Sequence, residues 1–251
     1  MTLRDDLRYA LDPVAFALEV LGLDLDEWQQ SVISSTGKRD LLNVTRQGGK
    51  STAAAVLALH EALYRPKSLS ILVSPSQRQS SELFRKVTEL KELLPEEPEL
   101  EEDNKLSMIV RGGGRVVSLP GSEATIRGYS AATLIVEDEA SRVDDALYMA
   151  IRPMLAVRGG RLILMSTPFG KRGHFWREWS EGSTWQRVEV PASRVSRISA
   201  EFLEEERTSM GDWWFSQEYM CKFRESTDSV FSHESIMRAV RSDVLPLWED
   251  S

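Results

Sequence analysis

Residues that could bind a phosphate group are concentrated in residues 45–52, which read TRQGGKST. Gly48 and Gly49 would let backbone N–H groups approach an anion closely, and a helix that begins near Lys50 would offer unsatisfied donors and partial positive charge. The Lys50 ammonium could reach the β- and γ-phosphates of a nucleotide, while the Ser51 hydroxyl could hold Mg²⁺. This spacing predicts a P-loop that binds a nucleoside triphosphate.

The segment departs from the common G-x-x-x-x-G-K-[ST] pattern at its first position, where Val44 replaces glycine, and Arg46 lies inside the loop. A simpler interpretation is a Gly-Gly turn with a solvated lysine between a strand and a helix. The other motifs of the chain must decide between these two interpretations.

Three acidic residues directly follow a second apolar run. Residues 133–136 (TLIV) are typical of a buried parallel strand, and Glu137, Asp138 and Glu139 come next. Acidic groups at the carboxyl end of a central strand lie where open α/β sheets bind ligands. Asp138 could hold Mg²⁺, and Glu139 could orient and deprotonate a water aimed at the γ-phosphate. Strand alternation predicts that Glu137 points to the opposite side. The alternative is a surface acidic turn.

Two further polar segments are candidates for the same site. Ser166, Thr167 and Pro168 follow the apolar run 161–165 and could sense the γ-phosphate or relay its loss, although by themselves they only predict a strand end. Gln29 could hydrogen-bond an adenine edge, or it could be a surface glutamine beside a core tryptophan, Trp28. Both interpretations of Gln29 stay open.

The elements that position these residues are strands separated by stretches of helical spacing. Leucine-rich and β-branched runs predict strands at residues 41–44, 69–73, 133–136, 161–165 and 185–190, whereas residues 24–30 open a short helix before the P-loop strand. Repeated strand-loop-helix units predict a three-layer α/β domain with a mostly parallel sheet. Helical spacing over residues 2–22, broken at Asp12-Pro13, predicts N-terminal helices.

Residues 108–110 and 116–119 predict a hairpin, with residues 95–105 before it as a charged loop. Arg111 and Arg115, on the flexible tip of that hairpin, could touch a phosphate backbone, or the tip could be a solvent-exposed turn. Beyond residue 190, an acidic helix and an aromatic-rich segment predict a small helical lid, although such aromatics could also stack on bases.

Composition indicates a globular intracellular protein. The 251 residues carry a net charge of −8, which argues against a surface that coats nucleic acid non-specifically but leaves room for a local basic face. Cys221 is the single cysteine, so no disulfide framework or thiolate metal cluster is expected, and a reducing compartment suits the chain. The sequence shows neither a membrane-length apolar run nor a signal peptide.

The motifs in this order resemble the ATPase domain of the large terminase subunit, the motor that packages DNA into procapsids in tailed bacteriophages. The matching pieces are DEWQQ, TRQGGKST, LIVEDEA, LMSTP and FSQEYMCKF followed by Val230-Phe231. The resemblance covers about residues 20–231. It implies a P-loop NTPase of the ASCE (RecA-like) type, with residues 1–190 as the core, 191–231 as the lid and 232–251 as a tail or linker. It also implies that the acidic strand lies beside the P-loop strand.

The resemblance assigns roles to particular residues. Lys50, Ser51 and Thr52 would bind phosphates and Mg²⁺, Asp138 would hold Mg²⁺, and Glu139 would be the catalytic base. Arg46 would contact the γ-phosphate within the subunit, and Arg127 would act as an arginine finger on a neighbouring subunit. Ser166, Thr167 and Pro168 would couple hydrolysis to motion. The nucleotide site would be completed by Gln29, Arg46, Gln47, Gly48 and Gly49.

The resemblance also implies cofactors and partners. ATP and Mg²⁺ would be used, and double-stranded DNA would be moved by a ring of subunits, a pentamer by the resemblance. The portal protein and the small terminase subunit would be partners in the cytoplasm of the infected host, with no membrane partner. The family usually continues into an RNase H type nuclease domain; because this chain stops at Ser251, nuclease activity is not expected from it.

Two other functions compete with this hypothesis. A DEAD-box-like helicase shares the glutamine segment, the P-loop and the acidic strand, but it needs a second RecA-like domain that 251 residues cannot supply. A non-hydrolysing assembly subunit would use the nucleotide only as a structural clamp. The second alternative predicts nucleotide binding without turnover.

Overall fold

A computed structural model describes residues 2–121, 126 and 128–225. The described residues form one eight-stranded sheet in the order β3-β4-β5-β2-β6-β7-β1-β8. The strands are β1 (Arg39–Val44), β2 (Leu69–Ser74), β3 (Leu100–Asp103), β4 (Ser107–Val110), β5 (Arg115–Pro120), β6 (Leu134–Asp138), β7 (Arg161–Ser166) and β8 (Gln186–Val190). Strands β5, β2, β6, β7, β1 and β8 are parallel, whereas β3, β4 and β5 pair in antiparallel fashion. The predicted mostly parallel sheet is confirmed.

Helices precede β1, lie between several of the strands and follow β8 along the described part of the chain. They are α1 (Leu3–Leu11), α2 (Pro13–Ala15), α3 (Glu27–Ser34), α4 (Lys50–Tyr64), α5 (Gln77–Glu92), α6 (Asp145–Ile151), α7 (Gly173–Ser180) and α8 (Ala200–Glu218). Helix α2 continues as a π-helical turn, Phe16–Val20. The predicted break at Asp12-Pro13 is confirmed: the Asp12 carboxylate accepts hydrogen bonds from the backbone N–H groups of Val14 and Ala15, and Pro13 occupies the first helical position.

Side chains of the central strands alternate between two apolar layers. On β6, Leu134 and Val136 pack into the core formed with α4 and α5, whereas Ile135 packs on the other face with residues of α6 and α7 such as Leu147 and Phe175. Because successive side chains of a strand point to opposite faces, an apolar strand needs helices on both sides. The predicted three-layer arrangement is confirmed.

The strand order corrects one prediction. The acidic strand β6 does not lie beside the P-loop strand β1, because β7 is inserted between them and pairs with both. All three runs are apolar on both faces, so hydrophobicity alone does not distinguish which of them takes the intermediate place. The order depends instead on how the helical connections cross the sheet.

The hairpin region differs from its prediction in two ways. Part of the expected charged loop forms an edge strand, β3, because its backbone pairs with β4 despite its acidic side chains. The expected flexible tip is anchored: the Gly114 N–H donates to the Ala62 carbonyl at 2.8 Å, and Arg111 pairs with Glu99 at 2.8 Å. Arg115 belongs to β5, and its guanidinium lies 5.5 Å from the centre of the Tyr129 ring.

The segment after β8 packs against the P-loop side of the sheet. Helix α8 is kinked at Gly211, whose φ of 79° and ψ of 160° are not helical. Its aromatic rings pack mainly on one another, with Phe202 and Phe215 both against Tyr219. This packing favours a lid over base stacking, while the lid boundaries at residues 191 and 231 stay a prediction; residues 226–231 lie outside the described part. Within the described residues, no helix is long and apolar enough to cross a bilayer.

Candidate nucleotide-binding and catalytic site

The P-loop connects β1 to α4 and requires glycine at two positions. A Cβ on Gly48 would lie 2.6 Å from the Val44 Cγ1 atom. Gly49 has a φ of 97°, and a Cβ there would lie 2.6 Å from the Gln29 Nε2 atom. At these distances the Val44 and Gln29 side chains would have to move, and L side chains disfavour the backbone region of Gly49. The glycines therefore allow the tight turn that brings α4 to begin at Lys50, as the sequence predicted.

The Lys50 side chain turns back toward the start of the P-loop. Its Nζ atom donates to the carbonyl oxygens of Val44 and Thr45 at 3.1 and 3.2 Å, and its side chain is buried. The ammonium also lowers the pKa of Asp138, against the larger effects of burial and of Glu139. The interpretation of Lys50 as a solvated lysine is wrong. Ser51 and Thr52 follow it in the first turn of α4.

Gln29 connects α3 to the P-loop through side-chain hydrogen bonds. Its Oε1 atom accepts from the Asp26 N–H at 2.8 Å, and its Nε2 atom donates to the Gly49 carbonyl at 3.0 Å. With only 3% of Gln29 exposed, the interpretation as a surface glutamine is wrong. Contact with an adenine edge stays a prediction, because the observed hydrogen bonds show Gln29 as a brace between α3 and the loop.

Asp138 is a candidate metal ligand at the end of β6. It is buried, and its Oδ1 atom accepts from the Glu139 N–H at 3.0 Å. Burial and then repulsion from Glu139 raise the pKa of Asp138 to about 7, against the opposing effect of Lys50. A bound cation would relieve this penalty, and Mg²⁺ is commonly held by one or two carboxylates together with substrate phosphates and waters. The chemistry of the buried Asp138 carboxylate therefore suits Mg²⁺, while the Ser51 hydroxyl as a second ligand stays a prediction.

Glu139, the candidate base, stands in an uncommon backbone conformation. Its φ of 52° and ψ of 39° place it in the left-handed region, and the 3₁₀ turn Ala140–Arg142 follows immediately. Its Oε2 atom lies 3.5 Å from the Arg142 Nε atom. Non-glycine residues in this region store strain that the surrounding contacts must hold. The left-handed conformation of Glu139 turns the chain away from the extended direction of β6, which ends at Asp138.

Arg46 contacts the C-terminal end of α8. Its Nε atom lies 2.5 Å from a Glu218 carboxylate oxygen, and its side chain is 59% exposed. The other Glu218 oxygen lies 3.3 Å from the Arg142 Nη2 atom. The Glu218 carbonyl also accepts from the Thr45 hydroxyl at 3.2 Å. Glu218 thus binds the P-loop arginine and the arginine beside Glu139 at once, and Arg46 must leave this carboxylate to reach a phosphate.

Ser166 and Thr167 end β7 between the other two motifs. In the sheet register, Ser166 pairs with Asn43 of β1, and Met165 pairs with Asp138 of β6. The carboxyl ends of β1, β7 and β6 are therefore level with one another. The P-loop, the Ser166-Thr167-Pro168 segment and the acidic pair meet at a single edge of the sheet, as predicted.

Glu137 points to the opposite face of the sheet, as strand alternation predicted. Its Oε1 atom lies 3.0 Å from the His174 Nε2 atom, and the His174 Nδ1 atom lies 3.2 Å from Asp145. Burial raises the pKa of Glu137. Burial alone would lower the pKa of His174, but the facing carboxylates outweigh it and raise that pKa. Glu137 therefore takes no part in the P-loop face of the site.

One predicted site residue cannot be located, and three residues near the site were not predicted. Arg127 lies outside the described residues, so its role as a finger stays a prediction. Three residues that sequence reasoning missed are Arg142, Glu218 and Arg197. Arg197 pairs with Asp26 at 2.9 Å and donates to the Gly48 carbonyl at 3.4 Å. Arg142 and Arg197 lie outside the recognised motifs, and Glu218 lies in the FSQEYMCKF segment, for which no contact with the P-loop was predicted.

Three features together define a P-loop NTPase fold of the ASCE (RecA-like) type. They are the position of β7 between β1 and β6, the P-loop and the Asp138-Glu139 pair. A family model described as the N-terminal part of the terminase large subunit, T4likevirus-type, matches residues 41–238, and the chain belongs to that family.

Comparisons with individual proteins agree with this assignment. The large terminase subunit of Thermus virus P23-45 is 30% identical, in a match that covers 85% of this chain and 52% of that protein. The chain thus spans about half the length of that relative. A mutant form of the Thermus phage P74-26 large terminase ATPase domain has a TM-score of 0.73 at 23% identity, covering 85% of this chain and all of that one. The large terminase of bacteriophage D6E in complex with ADP has a TM-score of 0.63 at 12% identity, covering 80% and 54%.

Proposed function

We propose that this chain is the ATP-hydrolysing module of a motor that drives double-stranded DNA into viral procapsids. The observation that carries the proposal is the level edge at which Lys50, Asp138, Glu139 and Ser166 meet, since phosphoryl transfer needs a phosphate cradle, a metal ligand and a base in one place. Membership of the terminase family and the likeness to a protein described as a large terminase in complex with ADP support ATP as the nucleotide.

Each residue has a defined task in the proposed reaction. The backbone N–H groups of the P-loop and the Lys50 ammonium bind the phosphates, and Glu139 accepts a proton from the attacking water. Mg²⁺, held by Asp138 and Ser51, would neutralise charge that develops on the phosphates. Arg46 exchanges the Glu218 carboxylate for the γ-phosphate, which adds a positive charge where the transition state is most negative.

The motor function itself rests on the family. Ser166, Thr167 and Pro168 would pass the loss of the γ-phosphate to the lid, whose movement would displace DNA held in a ring of subunits, a pentamer by resemblance. Arg127 would complete the active site of the neighbouring subunit. The portal protein and the small terminase subunit would be partners, and the host cytoplasm would be the location. Family membership does not favour a helicase fragment or a non-hydrolysing clamp.

The first test is steady-state ATPase activity with Mg²⁺ against protein concentration, for the wild type and Glu139→Gln. We expect turnover in the wild type and a loss of about 100-fold or more in the variant, as is typical for removal of a general base. Glu101→Gln, an exposed carboxylate on β3, is the matched control and should retain turnover. Nucleotide binding without turnover in the wild type, with DNA present, would favour the structural clamp instead.

The ring is tested in the same assay with Arg127→Ala. Specific activity should rise steeply with protein concentration in the wild type, and the variant should lose that rise, because a finger in trans acts only in an assembled ring. Arg158→Ala, which removes an exposed arginine elsewhere, should behave as the wild type. Turnover independent of concentration and unaffected by Arg127→Ala would indicate a self-contained ATPase.

A further inference from the structure

Ser141 joins the segment after Glu139 to the end of β7. Its Oγ atom lies 2.6 Å from the Ser166 Oγ atom and donates to the Thr167 carbonyl at 2.7 Å. The Ser141 N–H also donates to Ser166 Oγ, at 3.3 Å. All three residues are buried. Because hydrogen bonds between buried groups exclude water and are costly to break, the 3₁₀ turn after Glu139 is fixed to β7 at this point.

A second contact joins the neighbouring residues of the same two segments. The Arg142 guanidinium carbon lies 4.2 Å from the centre of the Phe169 ring, and the Arg172 guanidinium lies 4.6 Å from the same ring. A cation at this distance from an aromatic ring is attracted by the negative charge of the ring face. Phe169 therefore fixes the Arg142 side chain, which in turn lies 3.5 Å from the Glu139 carboxylate.

The same loop also reaches the lid. The Gly170 N–H donates to the Gln217 Oε1 atom at 3.2 Å, and Gln217 is buried next to Glu218 in α8. Residues 166–170 thus contact the turn after Glu139 through Ser141 and Arg142, and they contact α8 through Gln217. A displacement of this loop must alter the surroundings of Glu139 and of the lid together.

We propose that Ser141 and Phe169 are positioning residues that set the place of the Glu139 carboxylate relative to the γ-phosphate. This inference rests on the proposed ATPase function. The reason is the strained left-handed conformation of Glu139, which neighbouring contacts must hold. Ser141 fixes the backbone of the turn, and Phe169 fixes the arginine that faces the carboxylate. The described contacts of both side chains are to the end of β7, Arg142 and Arg172 rather than to the P-loop, so their removal should affect the chemical step and leave binding intact.

The Ser141 part of the proposal is tested with Ser141→Ala and Ser141→Thr. We expect the alanine variant to lower kcat by about 10-fold with KM changed by less than about 2-fold, since small displacements of a reacting group are costly. Ser141→Thr retains the hydroxyl and should restore most of kcat. Ser180→Ala is the matched control, because Ser180 donates to the Trp176 carbonyl at 2.8 Å on an exposed helix end. An unchanged kcat in Ser141→Ala would overturn the proposal.

The Phe169 part is tested with Phe169→Leu and Phe169→Tyr. Leucine keeps an apolar side chain but lacks a ring face, so kcat should fall several-fold, whereas tyrosine keeps the ring and should retain kcat. Equal rates in the two variants would overturn this part.

Urea unfolding and ADP affinity of every variant distinguish positioning from damage to the fold. A loss of kcat that is matched by lost ADP binding or lost stability contradicts positioning. The proposed function fails separately, if the wild type shows no turnover or if Glu139→Gln retains it.

Discussion

Asp138→Asn should stabilise the protein when nucleotide and metal are absent. The buried carboxylate has its pKa raised from 3.8 to about 7, chiefly by burial. The folded state therefore holds this proton more tightly than the unfolded state does, and stability falls as the pH rises from about 4 to about 7. One pKa unit corresponds to about 1.4 kcal/mol, so a shift of about three units costs about 4 kcal/mol above pH 7.

The assay is urea unfolding of the wild type and Asp138→Asn between pH 5 and pH 8 in the presence of a chelator. Asparagine keeps the shape of the side chain and an oxygen that can accept from the Glu139 N–H, but it has no charge to bury. Most of the fall in the wild type's unfolding free energy that is due to Asp138 occurs between pH 5 and 7. We expect the difference in unfolding free energy, variant minus wild type, to grow by about 2.5 kcal/mol between pH 5 and pH 8.

Comparison of the two proteins at each pH removes the contribution of titrating groups that they share. Asp24→Asn, at an exposed position, should show no such growing difference. If the difference between the wild type and Asp138→Asn stayed constant with pH, or became smaller as the pH rose, the carboxylate would not be held in a penalised environment. A cation bound at this position would then relieve no electrostatic penalty.

Three further predictions concern the P-loop and its surroundings. Gly49→Ala should weaken ADP binding by about 10-fold or more in calorimetry, because its left-handed φ and the nearby Gln29 amide leave no room for a Cβ; unchanged affinity would contradict this geometry. Glu218→Gln should tighten ATP binding by several-fold, because Arg46 then leaves a neutral partner; the effect should be modest for a half-exposed ion pair, and weaker binding would refute it. Cys221 should resist thiol reagents in the native protein and react in urea, since burial raises the pKa of its thiol to about 12; rapid native labelling would contradict its burial.

Much of the fold could be predicted because its strands are short and apolar and its turns carry clear signals. The helix beginning at Lys50, the break at Asp12-Pro13 and the strand before Glu137 all depend on local chemistry. The strand order could not be predicted in the same way, because β6, β7 and β1 are equally apolar. The edge strand β3 was missed for the opposite reason: its pairing is made by backbone groups, while its side chains read as a loop.

In the candidate site, too, residues marked by their local sequence could be predicted, whereas residues placed by distant contacts could not. Lys50, Asp138 and Glu139 could be found because each follows a strand directly and has a chemistry that phosphate or Mg²⁺ requires. Glu218 could not be assigned to the site, because the FSQEYMCKF segment that contains it shows no local chemistry that indicates a contact with the P-loop.

What distinguishes Glu218 is that the end of α8 brings its carboxylate between Arg46 and Arg142, residues 172 and 76 positions away. A carboxylate that satisfies two arginines competes with any phosphate for both of them. If Arg46 binds the γ-phosphate as proposed, nucleotide binding is coupled to the end of α8 by charge, whatever movement the proposed lid then makes.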